Sequence, residues 1–188
     1  MRIFRSLAPL ALCIFLLIGC SQNKFSSLFT GNQSALRYRD IPWHITPEEL
    51  LEREGLSEEA IDRFTTDGEL RLIRKELVSF EGLALPTRVV YVFFDEKFSG
   101  VLLFFYSEDE ASCIEVRDLI LTRMAQLIPL ERYGQPISLE DAKRAPVADG
   151  ITCQADNLST IAVSISDPFV NGNGQYCAGA SIYAGYPE

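Results

Sequence analysis

Histidine is nearly absent from this sequence, because His44 is the only one among 188 residues. Catalytic triads and most zinc sites need histidine beside other ligands or a nucleophile. His44 stands alone before a helix-start signal, so we interpret it as a loop or capping residue. Cys-x-x-Cys pairs and the Gly-x-Ser-x-Gly nucleophile motif are also missing. These absences favour a protein that is not an enzyme and that uses neither a metal nor a cofactor.

Long basic runs are also lacking, and the formal net charge is −9. An acidic chain is repelled by nucleic acid and by anionic lipid surfaces. We therefore expect no nucleic-acid partner.

The sequence contains one strongly apolar run, from Leu7 to Ile18, after a start that carries Arg2 and Arg5. A membrane-spanning helix needs about 20 apolar residues, and this run is shorter. A basic start followed by a short apolar run is typical of a secretory signal peptide. The usual Ala-x-Ala cleavage site is absent, and the run is followed by Gly19-Cys20.

Leu17-Ile18-Gly19-Cys20 resembles the lipobox of bacterial lipoproteins. The resemblance implies cleavage after Gly19, so that residues 1–19 are a signal peptide, and attachment of fatty acyl chains such as palmitate at Cys20. Two or three acyl chains hold a protein firmly on a membrane, at about 0.8 kcal/mol for each buried methylene. Ser21, where inner-membrane lipoproteins carry Asp, implies the periplasmic face of the outer membrane. The alternative is a plain signal peptide in which Cys20 occurs by chance.

The organisation after Cys20 follows from composition. Residues 20–37 are mostly small and polar, which is typical of a flexible tether. Residues 38–188 are enough for a single domain with its own core.

Helix signals recur along this domain. Thr46-Pro47-Glu48-Glu49 combines a capping box with a first-turn proline, and Gly55 ends the helix. Ser57 predicts a second short helix that reaches Phe64. The longest predicted helix covers residues 109–127, and a short one covers residues 138–144.

Strand signals cover residues 77–80, 88–94, 100–106, 159–165 and 177–183. The strands predicted at residues 88–94 and 100–106, the two middle strands, are apolar on both faces. We therefore expect each face of the sheet to be covered. The predicted fold is a single α+β domain with helices packed on an antiparallel sheet.

The mature chain retains three cysteines besides Cys20: Cys113, Cys153 and Cys177. Cys113 lies on the apolar stripe of the longest predicted helix and is expected to be a buried free thiol. An exported location permits disulfides, and Cys153 and Cys177 flank the last predicted hairpin. We therefore predict a Cys153–Cys177 disulfide, and we exclude zinc for lack of ligands.

The aromatic side chains of the middle strands are the strongest binding signal. An apolar sheet face that is only partly covered marks a partner site. We predict that Tyr91, Phe93, Phe104 and Tyr106 contribute to such a site.

Three short motifs recur in a familiar order: Ile41-Pro42-Trp43, Tyr91-Val92-Phe93 and Tyr133-Gly134-Gln135-Pro136. Together they resemble small exported bacterial proteins of the SmpA/OmlA-like and β-lactamase-inhibitor-like α+β folds. The resemblance implies a binding role and no reaction. The leading hypothesis is a non-enzymatic, membrane-anchored envelope lipoprotein that binds or scaffolds another envelope protein. The alternatives are an envelope hydrolase or small-ligand carrier, and a purely structural lipoprotein.

Overall fold

The structure is a computed structural model that describes residues 28–146, 150–156, 159–166 and 175–184. The predicted signal peptide and Cys20 lie outside the described residues. Three α-helices and twelve β-strands are found in the described part of the chain. The helices are α1 (Pro47–Glu54), α2 (Glu110–Leu127) and α3 (Leu139–Arg144). The strands are β1 (Phe29–Asn32), β2 (Ala35–Tyr38), β3 (Ile61–Thr66), β4 (Glu69–Arg74), β5 (Val78–Phe80), β6 (Leu83–Phe94), β7 (Lys97–Ser107), β8 (Leu130–Arg132), β9 (Gln135–Ile137), β10 (Ile151–Gln154), β11 (Thr160–Ser166) and β12 (Tyr176–Tyr183).

Helix α1 begins and ends where the sequence signals predict. Thr46 accepts a hydrogen bond from the Glu49 amide, and the Glu49 carboxylate accepts one from the Thr46 amide, which completes the capping box. Pro47 opens the helix, and Gly55 closes it in the left-handed conformation, with φ of 64°.

Helix α2 is capped by Asp109, whose carboxylate accepts hydrogen bonds from the amides of Ala111 and Ser112. The Ser112 hydroxyl also donates to this carboxylate, at 2.8 Å, and this bond together with the two amide bonds holds the pKa of Asp109 below its usual range. The buried Arg117 of α2 donates to the carbonyls of Lys143 and Ala145 at 2.6 and 3.3 Å. It thereby attaches the carboxyl end of α3 to α2, because the last carbonyls of a helix lack partners within it.

Ten strands form one sheet in the order β3-β4-β6-β7-β12-β11-β10-β8-β9, with β5 also paired to β6. Every strand pair is antiparallel. The hairpin β1–β2 forms a separate two-stranded sheet.

The register separates the two faces of the main sheet. One row of directly opposed residues crosses six strands, and its members are all fully buried: Leu72, Tyr91, Val101, Ile182, Ile161 and Cys153. We call the face that carries this row the inner face. The adjacent row points the other way, to the outer face, because side chains alternate along a strand. It consists of Ile73, Val90, Leu102, Ser181, Ala162 and Thr152.

The hydrophobic core lies on the inner face. One buried cluster joins inner-face residues to Leu50 of α1, Ile120 of α2 and Ala142 of α3. Leu28 and Leu36, beside and within the β1–β2 hairpin, belong to the same cluster. The described part of the chain is therefore a single, sheet-rich antiparallel domain with three helices, which agrees broadly with the predicted α+β class.

The helix predicted from Ser57 to Phe64 is wrong. A three-residue 3₁₀ turn, Glu58–Ala60, is followed directly by β3. Asp67 and Gly68 have φ of 45° and 81°, which turns β3 back onto β4 as a hairpin. Pairing with β4 overrides the weak helical spacing of Ile61 and Phe64.

The last residues of the tether predicted for residues 20–37 are part of the folded domain. Residues 29–38 form the β1–β2 hairpin, and Leu28, Phe29 and Leu36 are fully buried. The domain therefore begins at or before Leu28 rather than at Tyr38. The polar residues that suggested a tether include Asn32, Gln33 and Ser34, which lie at the hairpin turn.

Candidate functional site

The outer face of the central strands carries an apolar surface that we call the outer patch, made of Ile73, Leu102, Phe104 and Tyr106. Each of these side chains is partly exposed. None belongs to the hydrophobic core cluster of the described residues or to the side chains packed against it. The outer patch is therefore apolar surface that the core does not use.

A groove lies within the outer patch, beside Leu102 and Phe104. Small residues line it, because Gly179 is directly opposite Phe104 and Ser181 is directly opposite Leu102. The next strand contributes Ala162, opposite Ser181. The groove has a volume of about 220 Å³. This is below the roughly 300–1,000 Å³ of typical small-molecule sites.

Two of the four predicted partner-binding residues are placed on the opposite face. Tyr91 and Phe93 are both fully buried in the inner-face core, so a partner cannot contact them. The sequence prediction was wrong for these two residues because it combined aromatic side chains from both faces of one sheet. Phe104 and Tyr106 do lie together on the outer face.

A buried charged cluster surrounds Glu54, whose side chain is only 2% exposed. Arg39 donates two hydrogen bonds to its carboxylate, at 2.8 and 3.1 Å, and the Tyr91 hydroxyl donates a third at 3.0 Å. Arg74 lies 3.7 Å away, and Tyr38 packs edge-on against the Tyr91 ring. The cluster joins α1, the end of β2, β4 and β6.

Both tyrosines of this cluster stay protonated at neutral pH. Burial raises the pKa of Tyr38 and of Tyr91 well above the ordinary value. The neighbouring Glu54 charge adds to the shift in each case. These hydroxyls are therefore hydrogen-bonding groups rather than bases, and the cluster has a structural role.

Sequence reasoning missed this cluster, although one signal for it exists. Pro47, Leu50, Leu51 and Glu54 follow the i, i+3, i+4, i+7 spacing of a single helix face. A carboxylate on the apolar face of a helix needs a buried partner. The identity of the partners, Arg39 and Arg74, comes only from the tertiary structure.

The predicted Cys153–Cys177 disulfide does not fit the strand register. Cys153 is opposite Ile161, which is opposite Ile182, whereas the backbone of Cys177 is opposite Ser166. The two backbones are five residues out of step across two strand spacings, or roughly 19 Å. A disulfide needs Cα atoms within about 7 Å. Cys153 is a free, buried thiol, and burial raises its pKa to about 11.

Cys113 is a free, buried thiol, as its place on the apolar stripe predicts. Its thiol packs 3.9 Å from the Phe105 carbonyl oxygen, and burial raises its pKa. A thiol of this kind is a packing group rather than a nucleophile.

His44 lies in the loop before α1, with φ of 64°, and its amide donates to the Phe98 carbonyl at 2.8 Å. Among the described residues, no three His, Cys, Asp or Glu side chains are grouped as metal ligands. The described helices also include none that is long and apolar enough to cross a membrane.

No protein-family model, curated protein or solved structure matches this chain. The resemblance to SmpA/OmlA-like proteins therefore stays a prediction.

Proposed function

We propose that this chain is a non-enzymatic lipoprotein of the bacterial cell envelope that binds another envelope protein. Its anchor is the acylated Cys20, and its location is the periplasmic face of the outer membrane. The lipobox-like Leu17-Ile18-Gly19-Cys20 pattern and Ser21 support this part of the proposal.

The observation that carries the binding role is the outer patch. In this proposal the three helices form the layer that covers the inner face, and the partner covers the outer one. Leu102, Phe104 and Tyr106 alternate with buried residues along a single strand, so they point together away from the core. Apolar surface of this kind, beside a groove that fits a side chain, is characteristic of a protein interface.

The alternative roles have less support. A small-ligand carrier needs a larger cavity than the 220 Å³ groove beside Phe104. A hydrolase needs an accessible nucleophile beside a base. The two thiols that the structure describes as free, those of Cys113 and Cys153, are both buried.

Site-specific photocrosslinking in intact envelopes tests the binding role. A photoreactive phenylalanine analogue is placed at Phe104 in one variant and at Leu119 in a matched control. Leu119 is an apolar residue of α2 that is 44% exposed, so it reports contacts that follow from exposure alone. We expect the analogue at position 104 to give a defined adduct with the partner. Leu102→Glu should abolish this adduct, because binding would bury a carboxylate that has no counter-charge, which is costly.

Equal adducts from positions 104 and 119 would contradict the outer patch as the binding site. So would an adduct from position 104 that survives the Leu102→Glu substitution. Circular dichroism of the Leu102→Glu variant verifies that the loss of adduct is not a loss of fold.

A further inference from the structure

The two edges of the ten-stranded sheet differ in their protection. At one edge, β9 has three residues, and its central residue is Pro136, which lacks an amide hydrogen. At the other edge, β3 has six residues and no proline. Short strands and proline prevent an edge from pairing with another strand. The β3 edge lacks both of these features.

The register of the β3–β4 hairpin determines which backbone groups of β3 point outward. The two-residue turn Asp67-Gly68 makes Thr66 and Glu69 a hydrogen-bonded pair, and such pairs then alternate along the strands. The Lys75 amide donates to the Ala60 carbonyl at 3.0 Å, which agrees with this alternation. The amides and carbonyls of Arg63 and Thr65 therefore point away from β4.

Phe64 lies between these two residues and is 56% exposed. It is directly opposite Arg71, so it points to the outer face, like Ile73 of the same strand pair. In the described part of the chain, five of the six β3 residues are exposed, with Ile61 the exception. An exposed aromatic residue thus lies on an edge whose outward donors and acceptors are paired with no other strand that the structure describes.

We propose that β3 pairs with β3 of a second copy of this chain, in antiparallel fashion, about a two-fold axis at Phe64. In this register Arg63 of each copy lies opposite Thr65 of the other, so their outward amides and carbonyls form hydrogen bonds. The two Phe64 side chains lie directly opposite each other on the outer face. The two sheets become continuous, which is the self-complementary contact that a two-fold dimer requires.

Charge distinguishes this register from its neighbours. In an antiparallel pair, directly opposed residues lie on the same face of the joined sheet. The two outer faces therefore continue each other only when the two-fold axis passes through a pair of equivalent residues, rather than between two residues. Centring on Asp62 or on Arg63 places two like charges directly opposite each other, which is destabilising. Centring on Thr65 pairs only three strand residues, because Asp67 belongs to the turn. Centring on Phe64 pairs five residues and opposes no like charges.

Cysteine crosslinking of the purified full-length chain in detergent tests the register. Directly opposed Cα atoms at such a non-hydrogen-bonded position are about 4.5 Å apart, which suits a disulfide. We expect Phe64→Cys to form a covalent dimer under mild oxidation, above the background of the wild-type cysteines. Asp62→Cys and Thr66→Cys alone should stay at background, since equivalent atoms are roughly 13 Å apart along the strand. The double variant carrying both substitutions should form the dimer, because residues 62 and 66 are opposed.

A second pair of variants separates pairing from folding. Thr65→Pro removes an amide that β4 does not use, whereas Thr65→Ala retains it. We expect Thr65→Pro to raise the dimer dissociation constant, measured by analytical ultracentrifugation, by roughly 30-fold, because each dimer loses two hydrogen bonds. Thr65→Ala should leave it within roughly threefold of the wild type, and both variants should melt as cooperatively as the wild type.

Three outcomes would overturn the proposal. The first is a chain that stays monomeric in detergent and gives no Phe64→Cys dimer. The second is a dimer that Thr65→Pro leaves unchanged. The third is a Phe64→Cys adduct to a different protein in intact envelopes with no self-adduct in the purified chain. None of these results depends on Cys20 or on the outer patch at Phe104, so they leave the proposed function open to its own test.

Discussion

Glu54 is the residue at which the separate parts of this domain meet. Its carboxylate binds Arg39 and Tyr91 and lies near Arg74, which ties the N-terminal hairpin and α1 to the main sheet. Removing one partner of a buried ion pair is costly because the remaining charges lose their compensation. The position of Glu54 on the apolar face of α1 was visible in the sequence, but its partners lie at distant positions along the chain.

Replacing Glu54 by Ala should lower the free energy of unfolding by about 3 kcal/mol. The loss arises because two guanidinium groups are left without their counter-charge and the buried Tyr91 hydroxyl without its acceptor. Urea unfolding measures it, with Glu52→Ala as the matched control, since Glu52 is an exposed residue of the same helix. Similar losses for the two variants would contradict the role of the cluster.

The buried thiol of Cys153 should make stability fall at alkaline pH. Its pKa is about 11 in the folded protein and 9.0 ordinarily, so the unfolded chain releases the proton first as the pH rises. The stabilising contribution is complete below about pH 9 and is lost between about pH 9 and 11. Unfolding by urea across this window should show a steeper decline for the wild type than for Cys153→Val. Parallel declines would show that the thiol ionises equally in both states.

Two-residue turns connect several pairs of consecutive strands and determine how these strands pair. Asp67-Gly68 and Tyr133-Gly134 each combine two residues of positive φ with a glycine in the second position. The turn between β6 and β7 uses Asp95 and Glu96, with φ of 48° and 59°, and contains no glycine. This conformation costs a residue with a side chain about 1–2 kcal/mol. Because the pair contains no glycine, the sequence does not indicate that these two residues adopt this conformation.

Replacing Glu96 by Gly should raise the free energy of unfolding by about 1 kcal/mol, because it creates the Asp-Gly pair that such turns favour. The reverse change in the other hairpin, Gly68→Glu, should lower it by a similar amount, since Gly68 has φ of 81°. Thermal unfolding of both variants measures the two effects. A destabilised Glu96→Gly variant would contradict this, because it would mean that a contact of the Glu96 side chain stabilises the fold by more than the strained backbone costs.

The helices with the strongest sequence signals were predicted correctly, whereas only some of the strands were. Thr46 and Ser138 cap α1 and α3 at the positions where helices were predicted to begin, because a cap depends on residues within one turn of the helix. The strands that were not predicted are β1, β2, β4, β8, β9 and β10. A short segment becomes a strand only through its neighbours, as β9 does by pairing with β8, and β-propensity depends on those neighbours. The same reason explains why β3 was predicted as a helix.

At the scale of the whole molecule, the sheet divides the apolar residues between two faces with different neighbours. The inner face shares one core with the three helices and the β1–β2 hairpin, whereas the outer patch lies outside that core. Alternation along β6 and β7 predicted that both faces are apolar, but not which residues of the two strands share a face. The sequence led us to expect a cover on each face, and it did not reveal that the shared core lies on the inner one, because that depends on the side from which the connecting elements cross the sheet.

Replacing Cys20 by Ala should release the protein from membranes, since acylation at this residue is the proposed anchor. Fractionation of cell envelopes measures the release, and globomycin-sensitive processing should be lost at the same time. Cys13→Ala is the matched control, because Cys13 lies within the predicted signal peptide, and it should stay membrane-bound. A Cys20→Ala variant that still sediments with membranes would contradict the anchor.

The sequence by itself determined the local features of this protein. These are the lipobox-like segment, the capped helices and the alternation along β6 and β7, each of which depends on residues close together in the chain. Only the tertiary structure decided that Tyr91 and Phe93 are core, that Cys153 and Cys177 are far apart, and that β3 is an edge strand among the strands that the structure describes. Those properties depend on how strands distant in sequence are ordered and registered. Many local patterns are compatible with several such orders, and burial against the whole domain selects among them.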